Sequence, residues 1–197
     1  MKKEYWLDRW ERQDIGFHQS TINPYLREYW QRLHLARDSE VFVPLCGKSR
    51  DMLWLRAQEH RVLGIELSYL AAQAFFTENG YTPQCTTSNT FTHLTADDMH
   101  ILCGDLFDLG KRDLANISAV YDRAALIALP PEIRERYVHH LLHILPPDVQ
   151  ILLITLDYPA SEMSGPPFPV STEEVMTRYQ LHADIQLLAQ QDVLAQN

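Results

Sequence analysis

Short apolar runs that alternate with helix-patterned segments are the feature of this chain that most restricts its fold. Between the runs, apolar residues recur every three or four positions, which is the spacing of an amphipathic helix. Such alternation is typical of βαβ units, in which parallel strands are joined through helices. The predicted strands are Glu40–Cys46, Arg61–Glu66, Met99–Cys103, Ser118–Asp122 and Val149–Leu156.

This pattern predicts an α/β protein with a doubly wound, mostly parallel sheet. The run Val149–Leu156 is almost continuously apolar, which indicates a strand covered on both faces. A length of 197 residues favours one domain over residues 1–197. The threonine-rich stretch Thr82–Asp98 is interpreted as a loop or irregular insert, and the proline-rich stretch Ser161–Pro169 as a second loop.

The first 38 residues are aromatic and helical in pattern, and they precede the first predicted strand. Trp6 and Trp10 stand four positions apart, on one helix face. A loop hinged at Gly16 follows, and Asn23 before Pro24 is a suitable start for the next helix. We expect residues 1–38 to form a helical lid over the cleft, in which aromatic faces could attract a cationic onium group.

Composition and charge exclude several classes of protein. Apolar residues make up 46% of the chain and the formal net charge is −9, without any basic run. Such a chain is repelled by phosphate backbones and anionic lipid, so neither nucleic acid nor a membrane is expected as a partner. No segment is long and apolar enough to cross a membrane, and no signal peptide is recognisable. Three cysteines without a CxxC spacing suit a reduced, cytoplasmic protein.

In an open α/β sheet, ligands bind beyond the carboxyl ends of the strands. The segment after the first predicted strand contains Gly47-Lys48-Ser49, but a phosphate-binding P-loop would need glycine where Phe42 stands. The dinucleotide motif GxGxxG is also absent, which argues against a nicotinamide-dependent oxidoreductase. The segment is therefore interpreted as a tight turn around Gly47, either an ordinary βα connection or a ligand-binding one.

Acidic and basic residues follow the other strands. Glu66 ends the second strand 19 positions after Gly47, where nucleoside-binding domains place a carboxylate that binds the ribose hydroxyls. Asp105 follows the third strand and could meet an adenine edge, or it could simply be a turn residue. Arg123 follows the fourth strand and brings a fixed positive charge to the cleft, unless it only pairs with a neighbour such as Asp122.

Other kinds of catalytic site find little support. His139 and His143 share a helix face at a spacing that a metal could use, but nothing completes a ligand shell, and no metal is expected. The GxSxG nucleophile elbow of α/β-hydrolases is absent.

Several motifs together resemble the bacterial thiopurine S-methyltransferases, and the resemblance runs through nearly the whole chain. Each motif alone is a modest signal, but their combination in this order is specific. They are WLDRW at 6–10, IGFHQ at 15–19, Asn23-Pro24, Tyr29-Trp30, VPLCGKSRD at 43–51, GIELS at 64–68, GDLF at 104–107, YDRAALIALP at 121–130, LITLDY at 153–158 and GPPF at 165–168.

The resemblance implies a class I, Rossmann-like enzyme that uses S-adenosyl-L-methionine to methylate the sulfur of a small aromatic or heterocyclic thiol. It implies that Trp10, Leu45, Glu66 and Arg123 contact the cofactor, and that Asp105 and Leu106 lie on its adenine side. Phe17 would line the acceptor pocket. Arg123 is also our candidate catalytic residue, because its charge would favour an acceptor thiolate. A monomer is expected.

One departure from the family pattern concerns the end of the chain. The stretch Asp184–Ala195 is interpreted as the penultimate strand, and the last strand of the family's antiparallel hairpin is expected to be missing. Two alternative functions stay open at this point. One is methylation of selenium or tellurium oxyanions or other small acceptors, and the other is a cofactor-binding module without catalysis.

Overall fold

The computed structural model describes residues 3–193 of the chain. Within them, seven strands form one sheet in the order β3-β4-β5-β2-β1-β6-β7. The strands are β1 Glu40–Val43, β2 Arg61–Glu66, β3 Gln84–Thr87, β4 Thr92–Ala96, β5 Met99–Cys103, β6 Ile117–Asp122 and β7 Gln150–Leu153. The helices are α1 Lys3–Glu11, α2 Pro24–Tyr29, α3 Asp51–Ala57, α4 Tyr69–Glu78, α5 Ala125–Ala128, α6 Pro131–Ile144 and α7 Thr172–Tyr179, with single 3-10 turns at Trp30–Leu33 and Leu106–Asp108.

Five consecutive strands of the sheet confirm the predicted doubly wound parallel arrangement. β5, β2, β1, β6 and β7 all run in the same direction. Helices α2, α3 and α4 pack on one face of the sheet, and α5, α6 and α7 pack on the other. The carboxyl ends of the parallel strands therefore meet at one edge of the sheet, where a switch in strand order leaves a crevice between β1 and its neighbours.

Local signals explain where several helices begin. Asn23 caps α2, because its side chain accepts hydrogen bonds from the backbone N–H groups of Tyr25 and Leu26. The hydroxyl of Ser68 caps α4 in the same way through Ala71. Pro131 stands in the first turn of α6, where its missing N–H costs nothing.

The interpretation of Thr82–Asp98 as a loop is wrong. This stretch forms β3 and β4, an antiparallel hairpin that extends the sheet beyond β5. All four residues of β3 are exposed, and only Leu94 of β4 is buried. The apolar alternation that usually marks a strand is therefore missing, and the β-branched threonines were the only signal.

The interpretation of Asp184–Ala195 as a strand is also wrong for the part that the structure describes. Residues 184–193 are in neither helix nor strand, and residues 194 and 195 lie outside the described range. Ile185 and Leu188 still pack against the two core clusters, which accounts for the apolar spacing that suggested a strand. β7 is also shorter than predicted and only half-covered, since Leu152 is its one buried residue.

None of the helices within residues 3–193 is long and apolar enough to cross a membrane.

A buried histidine makes the fold sensitive to pH. Trp30, which is 2% exposed, donates its indole N–H to Nε2 of His60 over 3.0 Å. Burial lowers the pKa of His60 below 6.5, since a charged imidazole would be desolvated and could no longer accept this hydrogen bond. The His60 contribution to stability is therefore complete above the unfolded-state pKa and is lost as the pH falls below it.

We expect the His60→Gln variant to be less stable than the unmodified chain by about 1 kcal/mol at pH 7.5, and the difference to shrink at pH 5.5. Only the unmodified protein loses stability through protonation of His60 as the pH falls, because all other titrating groups are common to both proteins. Urea unfolding at the two pH values measures the difference. A difference that stays constant with pH would contradict the assigned protonation state.

Candidate functional site

A tight turn after β1 builds the centre of the site. Leu45 and Gly47 both have positive φ, of 46° and 52°. For a leucine this conformation is costly, and such strain is concentrated at functional sites. The turn is held by hydrogen bonds from Cys46 N–H to the carbonyl of Ile65 and from Ser49 N–H to the carbonyl of Cys46. It brings the predicted residue Leu45 and the backbone of Gly47 beside the end of β2.

Glu66, the last residue of β2, meets this turn directly. Its Oε2 accepts the N–H of Gly47 and its Oε1 accepts the N–H of Ser68, each over 2.8 Å. The side chain is 6% exposed, and burial raises its pKa although both hydrogen bonds oppose the shift. A carboxylate has about four acceptor positions, so Glu66 keeps acceptor capacity beyond the backbone N–H groups that it binds. Glu66 is therefore fixed in place and still able to accept from a ligand hydroxyl.

Helix α1 and the loop after it bring aromatic rings to the turn. A Cβ atom on Gly47 would lie only 3.1 Å from the Trp10 ring, so the ring and the glycine are in close contact. Phe17 packs edge-on against both Trp10 and Trp6, with ring centroids 5.5 Å apart in each pair. Trp10 is buried, whereas Phe17 is 38% exposed. Trp10 thus lies against the glycine turn, and Phe17 packs beside it.

Arg123 lies on the opposite side of the same cleft, directly after β6. Its side chain is 17% exposed, and its Nη1 lies 3.9 Å from Oδ2 of Asp51. Asp51 is the only carboxylate within 4 Å of Arg123 among residues 3–193. Most of the five guanidinium donors are thus available to a ligand. The neighbouring Asp122 does not pair with Arg123, because its carboxylate accepts from Tyr137 and from the first N–H groups of α5.

One cleft unites the predicted residues Trp10, Phe17, Leu45 and Arg123, and Glu66 joins it through Gly47. Asp105 and Leu106 do not line this cleft. They lie in the 3-10 turn after β5, where Asp105 accepts the N–H of Phe107 and pairs with Lys3 of α1. Leu106 is 4% exposed and packs in the core.

Two basic residues that line the cleft were not predicted as site residues. His18 lines it, and burial together with the charge of Lys48 lowers the pKa of its imidazole. Lys48 also lines it and forms two hydrogen bonds to Glu78, of 2.7 and 2.9 Å. The IGFHQ loop contained a signal for His18, since it carries both this residue and Phe17. Lys48 was considered only as part of a P-loop, so its place in the lining of the cleft was not predicted.

In the described part of the chain, no three histidine, cysteine or carboxylate side chains are grouped as metal ligands. His139 and His143 stack with their centroids 6.4 Å apart on α6, away from the cleft.

Comparison with known proteins identifies the family. The family model described as thiopurine S-methyltransferase matches residues 1–197. A thiopurine S-methyltransferase of Nitrosospira multiformis is 61% identical over 197 residues, which are all of this chain and 90% of the relative. Those of Nitrosomonas eutropha and of Pseudomonas fluorescens SBW25 are 48% and 46% identical, again over 100% of this chain and over 89% and 90% of the relatives.

Solved structures show the same fold at low identity. A methyltransferase of Anabaena variabilis, described as dependent on S-adenosylmethionine, covers 90% of this chain with a TM-score of 0.64 and 14% identity, over 80% of its own length. The 1,6-didemethyltoxoflavin-N1-methyltransferase of Burkholderia thailandensis, solved with S-adenosylhomocysteine, covers 80% of the chain with a TM-score of 0.58 and 14% identity, over 62% of its own length. With the full-length family match and these relatives, the chain belongs to the thiopurine S-methyltransferase family, whose class I fold it shares.

Proposed function

We propose that this protein transfers the methyl group of S-adenosyl-L-methionine to the sulfur of a small aromatic or heterocyclic thiol. The observation that carries the proposal is the pairing of Glu66 with the strained glycine turn, opposite Arg123 in one aromatic-covered cleft. Full-length similarity to thiopurine S-methyltransferases supports the same function.

The donor set fits the cofactor. Glu66 keeps free acceptor positions for the two ribose hydroxyls, and the turn at Gly47 lets the backbone approach a ligand closely. Leu45 and Trp10 would contact it from the two sides of the turn, and Asp105 and Leu106 would lie toward the adenine. Bound S-adenosyl-L-methionine supplies an electrophilic methyl group on a positively charged sulfur.

The aromatic residues of the lid would hold that sulfur and keep water away. The faces of tryptophan and phenylalanine rings attract cations. Trp10 is fixed against Gly47, while the more exposed Phe17 extends the apolar wall toward the acceptor. Much of the rate enhancement would come from aligning the acceptor sulfur with the methyl carbon and from excluding water.

Arg123 would stabilise the acceptor as a thiolate. A thiol that ionises near neutral pH loses its proton to solvent before the reaction, so the protein needs no nucleophile and no strong base. The guanidinium, whose donors are largely free, then balances the negative charge of the sulfur.

The test is transfer of labelled methyl from S-adenosyl-L-methionine to 6-mercaptopurine by the purified chain. We expect labelled 6-methylmercaptopurine and stoichiometric S-adenosylhomocysteine. Binding of S-adenosylhomocysteine without transfer to any thiol would instead support a cofactor-binding module.

We expect Arg123→Lys to lower kcat/KM for 6-mercaptopurine by about tenfold, because a lysine keeps the charge but loses the planar array of donors. Initial rates at varied acceptor concentration give the value. Unchanged kinetics would remove Arg123 from any direct role in transfer.

A second acceptor class is supported by the charge of the cleft. Arg123 and Lys48 line it, and Arg50 lies beside it, which would suit oxyanions of selenium or tellurium. Selenite in the same assay would reveal volatile methylated selenium, provided that a reductant is present.

A cytoplasmic location and a monomeric state belong to the same proposal, and the unpaired cysteines Cys46, Cys85 and Cys103 suit a reducing compartment.

A further inference from the structure

A buried carboxylate that the catalytic proposal does not use lies behind Arg123. Asp51 is the first residue of α3 and is 2% exposed. Its Oδ1 accepts the backbone N–H of Asn23 over 2.8 Å, and its Oδ2 accepts the hydroxyl of Tyr121 over 2.9 Å. One hydrogen bond on each oxygen fixes the carboxylate in both position and orientation. An ionised group buried this deeply needs such partners.

The same carboxylate faces the Arg123 guanidinium at 3.9 Å. This distance is too long for a hydrogen bond, so Asp51 attracts Arg123 without occupying its donors. Burial and the nearby Asp51 raise the pKa of Tyr121, which keeps the phenol protonated and donating. Tyr121, which belongs to β6, therefore holds the negative charge of Asp51 in place beside Arg123.

Asp51 also ties down the N-terminal segment. Asn23, which it binds, caps α2 at the end of the loop that carries Phe17 and His18. The adjacent residue Arg50 donates from its Nη1 to the carbonyl of Ser20 over 3.1 Å. The start of α3 therefore contacts two parts of the site. It holds the N-terminal segment that covers the cleft, and it holds Arg123 on the opposite side of the cleft.

We propose that Asp51 is a positioning residue. It orients Arg123 toward the bound ligands and fixes the position of the N-terminal segment relative to Arg123. The inference rests on the proposed function, since it assumes that Arg123 contacts the cofactor or the acceptor. Asp51 touches no substrate in this role and acts through Arg123.

The test is a double-mutant cycle of Asp51→Asn with Arg123→Gln. Asparagine has the same volume and can still accept from Asn23 and meet Tyr121, so the variant removes the charge and little else. We expect Asp51→Asn to lower kcat/KM for 6-mercaptopurine about tenfold alone, and less than twofold in the Arg123→Gln background. Where turnover is too slow to measure, calorimetric titration with S-adenosylhomocysteine gives the coupling between Asp51 and Arg123 from the affinities of the unmodified chain, the two single variants and the double variant.

Two further variants keep the test decisive. Tyr121→Phe removes one hydrogen bond to Asp51 but keeps the Asp51 charge, and it replaces Asp51→Asn in the cycle if that variant fails to fold. The decrease in kcat/KM that Tyr121→Phe causes should also disappear in the Arg123→Gln background. Asp97→Asn disrupts an exposed ion pair with Arg56 at the other end of the sheet and should leave transfer unchanged. Losses that add up fully in both turnover and binding would overturn the positioning role. Absence of transfer and of binding in the unmodified chain would instead refute the proposed function.

Discussion

Replacing Glu66 by alanine weakens the binding of S-adenosyl-L-methionine by about 2 kcal/mol, or roughly thirtyfold in Kd. The expected loss is that of hydrogen bonds from the ribose hydroxyls to a charged acceptor, which are stronger than those between neutral groups. Isothermal titration of the variant with S-adenosyl-L-methionine and with S-adenosylhomocysteine gives the change, and both ligands should lose affinity alike, since they share the ribose.

The control must separate binding from folding, because Glu66 also accepts the N–H groups of Gly47 and Ser68. Thermal unfolding of the variant without ligand measures that structural part. Glu40→Ala removes a carboxylate from the opposite end of the same sheet and should leave both affinities unchanged. Equal affinities for the Glu66 variant and the unmodified chain would place the ribose elsewhere.

Replacing Glu174 by alanine lowers the free energy of unfolding by about 3 kcal/mol. Arg134 is 1% exposed, and its Nη1 donates to Oε2 of Glu174 over 2.6 Å. Without Glu174 this guanidinium stays buried, and among residues 3–193 its remaining partners are the carbonyl of Leu129 and the Phe168 ring. The charge would then lack a counterion, which costs far more than the loss of a surface ion pair. Urea unfolding near pH 7 measures the difference.

Two comparisons identify the cause of that loss. Glu173→Ala changes the exposed neighbour on the same helix and should cost less than about 0.5 kcal/mol. Combining Glu174→Ala with Arg134→Met removes the buried charge as well, and should recover part of the stability. Equal losses in the Glu173 and Glu174 variants would show that Arg134 does not depend on its partner.

The parallel part of the fold could be predicted from the sequence because its strands carry their signal locally. The runs at Arg61–Glu66 and Met99–Cys103 are mostly apolar and mostly buried, and the structure reproduces their bounds. The Thr82–Asp98 hairpin could not be predicted in this way. Its outer strand β3 is exposed on every residue, so the structure of the hairpin depends on the pairing of β3 with β4 and of β4 with β5.

The site was predictable as a set of strand ends but not as a network. Leu45, Glu66 and Arg123 follow from the rule that ligands bind beyond the carboxyl ends of parallel strands, together with the family motifs. Asp51 ends the VPLCGKSRD motif, but nothing in the sequence indicates what its side chain contacts. Its partners Asn23 and Tyr121 lie 28 and 70 residues away, and only the folded chain brings them together.

The most direct test of the proposed site is a crystal structure of the chain with S-adenosylhomocysteine. We expect the ribose hydroxyls within hydrogen-bond distance of Glu66, the thioether sulfur beside Trp10, and the Arg123 guanidinium facing the open side of that sulfur. A ligand bound with its ribose away from Glu66, or outside the cleft formed by Trp10, Leu45 and Arg123, would contradict the proposed site.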